Sequence, residues 1–446
     1  MQPPDALLLP PAHPQRLALN DEAHARPSAP LSAPLDISYI ALLGEQDARD
    51  GVLAAIRDLA RSSGAPPPEE GADHYAGDFG RFHLRWERHT EFSRLAVSVR
   101  ARPEAPAFER HAAAALPPGW LPALPGQLLV AVHLALRRAG EAAGGRAGAG
   151  VAETVLAARH FPGSEAIGGH VLEGRGAAFT DFRIGPDGFS RVLLLDHAMT
   201  AAQAGRTAQR LLEIETYRLL ALLAFPLARN LAPFLHARER ELAGIAAILG
   251  HARPQDEAAL LGRLTALAAA IEAEEAAHLH RFSASAAYYD LIRRRIAELR
   301  ERRIEGFATF DEFVERRLAP AMATCASVTA RHEALSRRVA RATQLLSTRV
   351  ELTREEQSLA VLASMDRRAR MQLRLQQTVE GLSVAAITYY VVGLIGQVAN
   401  GLGPARLGLS PAAVTAAAVP VVALLVAWGL HRSRRHITLG RGRADA

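Results

Sequence analysis

The sequence predicts an α+β cytoplasmic domain followed by a long-helix, coiled-coil region and a C-terminal two-helix transmembrane hairpin. Three observations carry this reading. Two charge-free apolar runs stand close together near the C-terminus, strand-like alternation is confined to the first two hundred residues, and the apolar spacing turns helical beyond Met199. The implied parts are a proline-rich segment at 1–35, the α+β domain at 36–198, the helical region at 199–380, the hairpin at 381–431 and a basic tail at 432–446. A chain of 446 residues is long enough for two or three domains with well-buried cores.

Taken in order, "DISYIALLG" (36–44) reads as a strand and "DARDGVLAAIRDLARSSG" (47–64) as a helix with Val52, Ile56 and Leu59 on one face. "APPPEEGADH" reads as a loop. Between 79 and 101, Phe82, Leu84 and Trp86, then Leu95, Val97 and Val99, alternate as in two antiparallel strands. "AFERHAAAAL" (107–116) is helical in pattern, "QLLVAVHLAL" (127–136) strand-like, and "GEAAGGRAGAG" (140–150) a flexible break. Residues 176–199 read as a hairpin turning at Gly185-Pro186-Asp187-Gly188. From Thr200 to Phe225 a long helix is expected, with Gln203, Arg206, Arg210 and Glu213 on a shared polar face. Leu260, Leu264, Leu267 and Ile271 form a coiled-coil-like stripe, repeated by Leu335, Val339, Ala342 and Leu346 in the last cytoplasmic helix.

The apolar runs are residues 382–399 and 411–430, neither containing a charge. As helices they are about 27 and 30 Å long, close to the hydrocarbon thickness of a bilayer. The short "NGLGPARLGLS" between them permits only a tight antiparallel return. Pro411 suits a first helical turn, whereas Pro420 should kink the second span. Arg367, Arg368, Arg370 and Arg374 precede the first span; Arg432, Arg434, Arg435, Arg441 and Arg443 follow the second; the loop holds only Arg406. Arginine stays on the cytoplasmic side, so both termini are expected inside, with Trp428 and His431 at an interfacial belt. The flanking arginines suit anionic lipid headgroups, the partner expected for this part of the chain.

Bulk chemistry narrows the function. All 52 basic residues are arginine, the net charge is +6 and 46 residues are acidic. Both signs are mixed along most of the chain, without a basic stripe or a recognisable module, so no nucleic-acid partner is expected. Cys325 is the only cysteine, which excludes an intramolecular disulfide and any two-cysteine site within one chain. The N-terminal run is broken by proline and has no basic region, unlike a secretory signal. There is no P-loop, no Gly-x-Gly-x-x-Gly after a strand, no Gly-x-Ser-x-Gly and no His-Glu-x-x-His; no cofactor is indicated.

Candidate sites are few. Asn20, Asp21, Glu22, His24 and Arg26 crowd one short stretch; its carboxylates and imidazole could bind a divalent metal or act as an acid/base pair. The structural alternative makes Asn20 or Asp21 a cap or turn residue and Arg26 an ion-pair partner. Glu275 and His278 have the Glu-x-x-His spacing of di-iron bundles, but no second copy follows, so a solvated face is the simpler reading. Asp196-His197 stands at a strand end without a nucleophile motif, and Cys325 reads as core. Within the first span Gly393, Gln397 and Asn400 share a helical face, which should meet another helix or water.

"LNDEAHARP", "LLEIETYRLLAL", "ERRLAPAM" and "QLRLQQTVEGLSVAAITYYVVGLIG" together resemble an uncharacterised bacterial domain-of-unknown-function family of membrane-anchored proteins. The likeness implies the same C-terminal hairpin and carries no catalytic residues. The order of parts also resembles CorA-type magnesium channels, but their Gly-Met-Asn after the first span is replaced here by Ala399-Asn400-Gly401. The expected protein is a two-pass component of the bacterial inner membrane, non-enzymatic, oligomeric and scaffold-like. A CorA-like channel or a membrane-tethered enzyme are the alternatives.

Overall fold

A computed structural model describes residues 10–17, 19–20, 28–102, 105–139, 149–163, 165–402 and 410–441. The chain forms two compact units, one of residues 1–251 and 259–343, the other of 252–258 and 344–446. The first is an N-terminal α/β sheet body continued by long helices.

Its strands are β1 (Leu35–Leu43), β2 (His74–Asp78), β3 (His83–Arg88), β4 (Phe92–Arg100), β5 (Gln127–Arg138), β6 (Ile167–Val171), β7 (Gly176–Thr180), β8 (Ser190–Asp196) and the short β9 (Arg302–Arg303). They form one sheet in the order β2-β3-β4-β1-β5-β8-β7-β6-β9. Neighbours are antiparallel except β5 and β8, which run parallel. That parallel pair needs a crossover, and helix α2 (Ala149–His160) lies within it.

Strand alternation sends successive side chains to opposite faces. On one face Ile40, Leu42, Leu84, Trp86, Leu95 and Val97 pack against Val52, Leu53, Ile56 and Leu59 of α1 (Gln46–Ser63). Gly64 closes α1 in the left-handed region, at φ 73°, a conformation glycine adopts without a Cβ clash. On the same layer Ala135, Ala177, Phe179, Leu193 and Leu195 pack against Leu156, Ala157 and Phe161 at the end of α2. The opposite face is covered by α3 (Ala201–Leu222), whose Thr200–Gln203 capping box fixes its start.

Several expectations change in the structure. The loop read over 65–74 ends in an edge strand, β2. The helical pattern at 107–116 yields only a 3-10 turn, Ala112–Ala115, because Pro117 disfavours helical backbone at Leu116. Residues 140–148, within the expected flexible break, lie outside the described residues. The long helix from Thr200 is divided: α3 ends at Leu222 and α4 (Ala224–Leu249) begins two residues later. Pro226 lacks the N–H that would bond back to Leu222, so the ladder stops there. Beyond lie α5 (Pro254–Leu299), α6 (Phe310–Phe313), a π turn at Val314–Leu318 and α7 (Ala319–Leu402). Glu301 accepts from the backbone N–H groups of Phe310 and Asp311 and so caps α6. Leu260, Leu264, Leu267, Ile271, Leu335, Val339 and Leu346 are all buried within the single chain.

The second unit contains the end of α7 and helix α8 (Pro411–Arg441). Glu257 is buried there and pairs with Arg349 at 2.6 Å. A β-carbon at Gly396 of α7 would stand 3.1 Å from Thr415 Oγ1 of α8. Three helices among the described residues are long and apolar enough to cross a membrane: Ala201–Leu249, Phe310–Gly401 and Pro411–Gly429. They differ in cover: the most apolar windows are 33%, 17% and 6% buried, respectively. The first belongs to the body, where α3 lies on β5 and β8.

Gly205 of α3 meets the segment that leads into β1. Leu31 donates to the Ala201 carbonyl at 2.9 Å, and a β-carbon at Gly205 would run into the Ala29 carbonyl oxygen. Gly205→Ala should therefore destabilise the first unit by about 1–3 kcal/mol and quicken proteolysis near residues 28–31, as read by thermal melts and limited digestion.

Candidate functional site

The α3-facing side of the sheet holds buried charge where an apolar layer would be expected. In β3 and β4 the residues between Leu84, Trp86, Leu95 and Val97 are Arg85, Glu87, Arg94 and Ala96, and alternation turns them under α3. Arg94 donates to Glu87 Oε2 from Nε at 3.0 Å and from a terminal nitrogen at 2.5 Å. Its other terminal nitrogen donates to Glu213 Oε1 of α3 at 3.1 Å. Glu213 also accepts from Gln209 at 2.7 Å and from Arg295 of α5 at 2.5 Å. One carboxylate, 4% exposed, thus joins the sheet to two helices. Glu213 was expected on a polar face shared with Gln203, Arg206 and Arg210; only Arg206 of those four is exposed.

Burial by itself pushes the Glu213 carboxyl up, but Arg94, Gln209 and Arg295 together hold it below its ordinary value of 4.5. Tyr39 hydrogen-bonds Thr216 at 2.8 Å, and burial raises its hydroxyl to about 12. Beside this network opens a small cleft of about 80 Å³, lined by Tyr39, Arg85, Glu87, Arg94 and Gln209 over an apolar floor that includes Leu31 and Leu212. Arg85 lies 3.8 Å from Glu87 at 30% side-chain exposure; burial lowers its pKa. The cleft pairs apolar lining with a few convergent polar groups, in a volume well below that of a usual small-molecule site.

A second cluster lies on the other face. His133 of β5 is stacked between His111 and Phe189, with ring centroids 3.9 Å apart on each side. Its Nδ1 is 3.0 Å from Ser38 Oγ of β1, which in turn accepts from the Ala113 N–H. Asp187 Oδ2 is 3.8 Å from His111 Nε2 and 4.0 Å from His133 Nε2. Burial, reinforced by the charges of His111 and Arg191, lowers His133 to about 3. Burial acts to raise Asp187, yet the Phe189 N–H and Arg191 hold it below the usual carboxylate range. His111, His133 and Asp187 can offer three ligand atoms within 4.8 Å of one another. No local spacing announced them, since the three stand at positions 111, 133 and 187; the one visible cue was a histidine inside the apolar strand "QLLVAVHLAL".

The residues singled out from sequence are scattered. Asn20 is exposed in a short helical turn, while Asp21, Glu22, His24 and Arg26 lie outside the described residues. Asp196 accepts from the Met199 N–H at 2.8 Å and shapes the turn into α3; His197 meets the Gly174 carbonyl at 3.1 Å. Neither lines the cleft. Glu275 reaches His332 of α7 at 3.4 Å, and His278 reaches Glu274 at 3.3 Å, so the Glu-x-x-His pair divides between different partners. Cys325 is buried. Gly393, Gln397 and Asn400 are exposed, whereas Thr388, Val392 and Ala399 are the buried positions of that stretch. Arg367, Arg368, Arg370, Arg374 and Arg432 are exposed; Arg434 and Arg435 continue α8.

Removing one side of a buried ion pair strands the other, at about 3–5 kcal/mol. Arg94→Met should lower stability by that order in urea melts, since both Glu87 and Glu213 lose their common partner. The stability that Glu213 supplies is complete above about pH 4.5, the unfolded value, and is lost as pH falls through its lower folded value. Glu213→Gln should therefore flatten the acid limb of a pH–stability curve.

A protein-family model described as "Protein of unknown function (DUF3422)" matches residues 11–437. No curated protein and no solved structure matches the chain.

Proposed function

Because the chain belongs to the DUF3422 family, whose description assigns no activity, we propose a role from its own geometry: a two-pass anchor of the bacterial inner membrane carrying a cytoplasmic, scaffold-like body. The observation that carries this is uncovered apolar surface on α7 and α8. Leu382, Tyr389, Leu394 and Val398 on one helix, and Val421, Leu424, Leu425 and Trp428 on the other, are each more than half exposed. Water covers such a surface at about 25 cal/mol per Å² of penalty, whereas hydrocarbon removes it. The close approach at Gly396 and Thr415 supports packing of the two spans as a hairpin, since small residues let membrane helices approach.

Arginine supports the orientation. Arg367, Arg368, Arg370 and Arg374 are exposed ahead of the first span, and Arg432 stands over the Trp428 ring at 5.4 Å. Cations on both outer flanks support cytoplasmic termini, on the side of anionic headgroups. Self-association draws support from Leu345, Leu352, Leu359 and Leu373, exposed on α7 at multiples of seven residues. The exposed Gln397 and Asn400 favour a contact between copies. A CorA-like pore built from several copies is the second reading of that same polar face.

Labelling tests the topology. In a Cys325→Ser background, a cysteine replacing Pro404 should react with an impermeant maleimide in intact spheroplasts, and one replacing Ser62 only after lysis. The reverse pattern overturns the orientation. Crosslinking in detergent should trap multimers that weaken when Leu352 and Leu359 are both changed to Ser. Cation flux from proteoliposomes that falls in Gln397→Ala would favour the pore; tight liposomes leave the anchor.

A further inference from the structure

We infer that His111, His133 and Asp187 form a binding site for a divalent first-row transition metal of the zinc type. Three separate parts of the body deliver the ligands: the residue before the 3-10 turn, the centre of β5 and the turn between β7 and β8. Two imidazoles and one carboxylate are a donor set that zinc and its neighbours accept, with further positions open to water or a ligand. Bonds of about 2.0–2.1 Å set tetrahedral ligand atoms roughly 3.4 Å apart. The Asp187 oxygen stands 3.8 and 4.0 Å from the two Nε2 atoms, so closure requires a contraction of about half an ångström.

The surroundings are arranged for this. Ser38 Oγ, itself fixed by the Ala113 N–H, holds His133 Nδ1; an outer partner of this kind leaves the other ring nitrogen to a metal. His133 is thereby the fixed ligand. The stacked rings are nearly parallel, at 13°, which sets their lone pairs side by side, and one ring must turn for both to point at a common ion. His111 is that ring: its Nδ1 has no hydrogen-bond partner among the described residues, and its side chain is 34% exposed. Asp187, 29% exposed, completes an open approach from solvent. Arg191 contacts the same Asp187 oxygen at 2.9 Å, so it competes with an incoming cation and tunes affinity downward.

This assignment is independent of membrane anchorage and is tested on the full-length protein in detergent, freed of metal with chelator and titrated with zinc by calorimetry. Cobalt absorption serves as a second readout of coordination. One equivalent per chain is expected, weakened more than about tenfold by His111→Ala or Asp187→Asn, the least that loss of even an outer-shell partner produces. Arg191→Gln should tighten binding, because it removes the competing charge. His111→Ala alters a partly exposed ring, and a melt matching the parent separates lost binding from lost folding. Absence of a stoichiometric site in the parent, or parental affinity retained in both ligand variants, overturns the assignment, the latter because it would place the ion among the other histidines.

Discussion

Glu213 is the constraint around which the body is organised. A carboxylate removed from water has to be met by charge and hydrogen bonds, or folding pays its desolvation. Here the partners come from β4, from its own helix and from α5. Satisfying it fixes the rotation of α3 on the sheet and the seat of α5 against α3. Arg94 is equally committed, held by Glu87 and Glu213 together. The cleft beside them inherits its polarity from this network, and its floor from the apolar residues of α3 and of the segment before β1.

The two faces of the sheet solve different problems. Under α1 the packing is apolar, with Trp86 and Leu84 fully enclosed, and the strands contribute mainly buried area. Towards the middle of that layer β5 carries His133, which burial keeps uncharged, stacked between aromatic rings. Under α3 the layer is charged and directional. Apolar packing tolerates small shifts, whereas the Arg94–Glu213 geometry does not; the α3 side therefore specifies the arrangement.

The second unit has another logic. Its apolar side chains point away from the chain, and its arginines lie at the ends of the apolar stretches. Leu382, Tyr389, Leu424 and Trp428 are each more than half exposed there. In the body, long helices serve as packing layers, as α3 does on β5 and β8. Helices of both units are long and apolar enough to cross a membrane, and they differ in cover.

Local pattern was enough to locate β1, α1, β3, β4, β5 and the β7–β8 hairpin, because period and turn chemistry act over a few residues. It was also enough for the apolar runs and their arginine flanks, which depend on composition alone. It missed β2 and β6, short strands whose sequences carry no alternation. It put Glu213 on a polar helix face without telling what covers that face, since a polar stripe on a helix looks the same whether water or an arginine faces it. The His111–His133–Asp187 cluster lay beyond its reach for a related reason: those residues meet only when the 3-10 turn after β4, strand β5 and the β7–β8 turn are assembled. What the sequence determined was the kind of each segment, through propensity, period and charge. The tertiary structure alone decided which polar groups are buried together, because that depends on contacts between residues far apart in the chain.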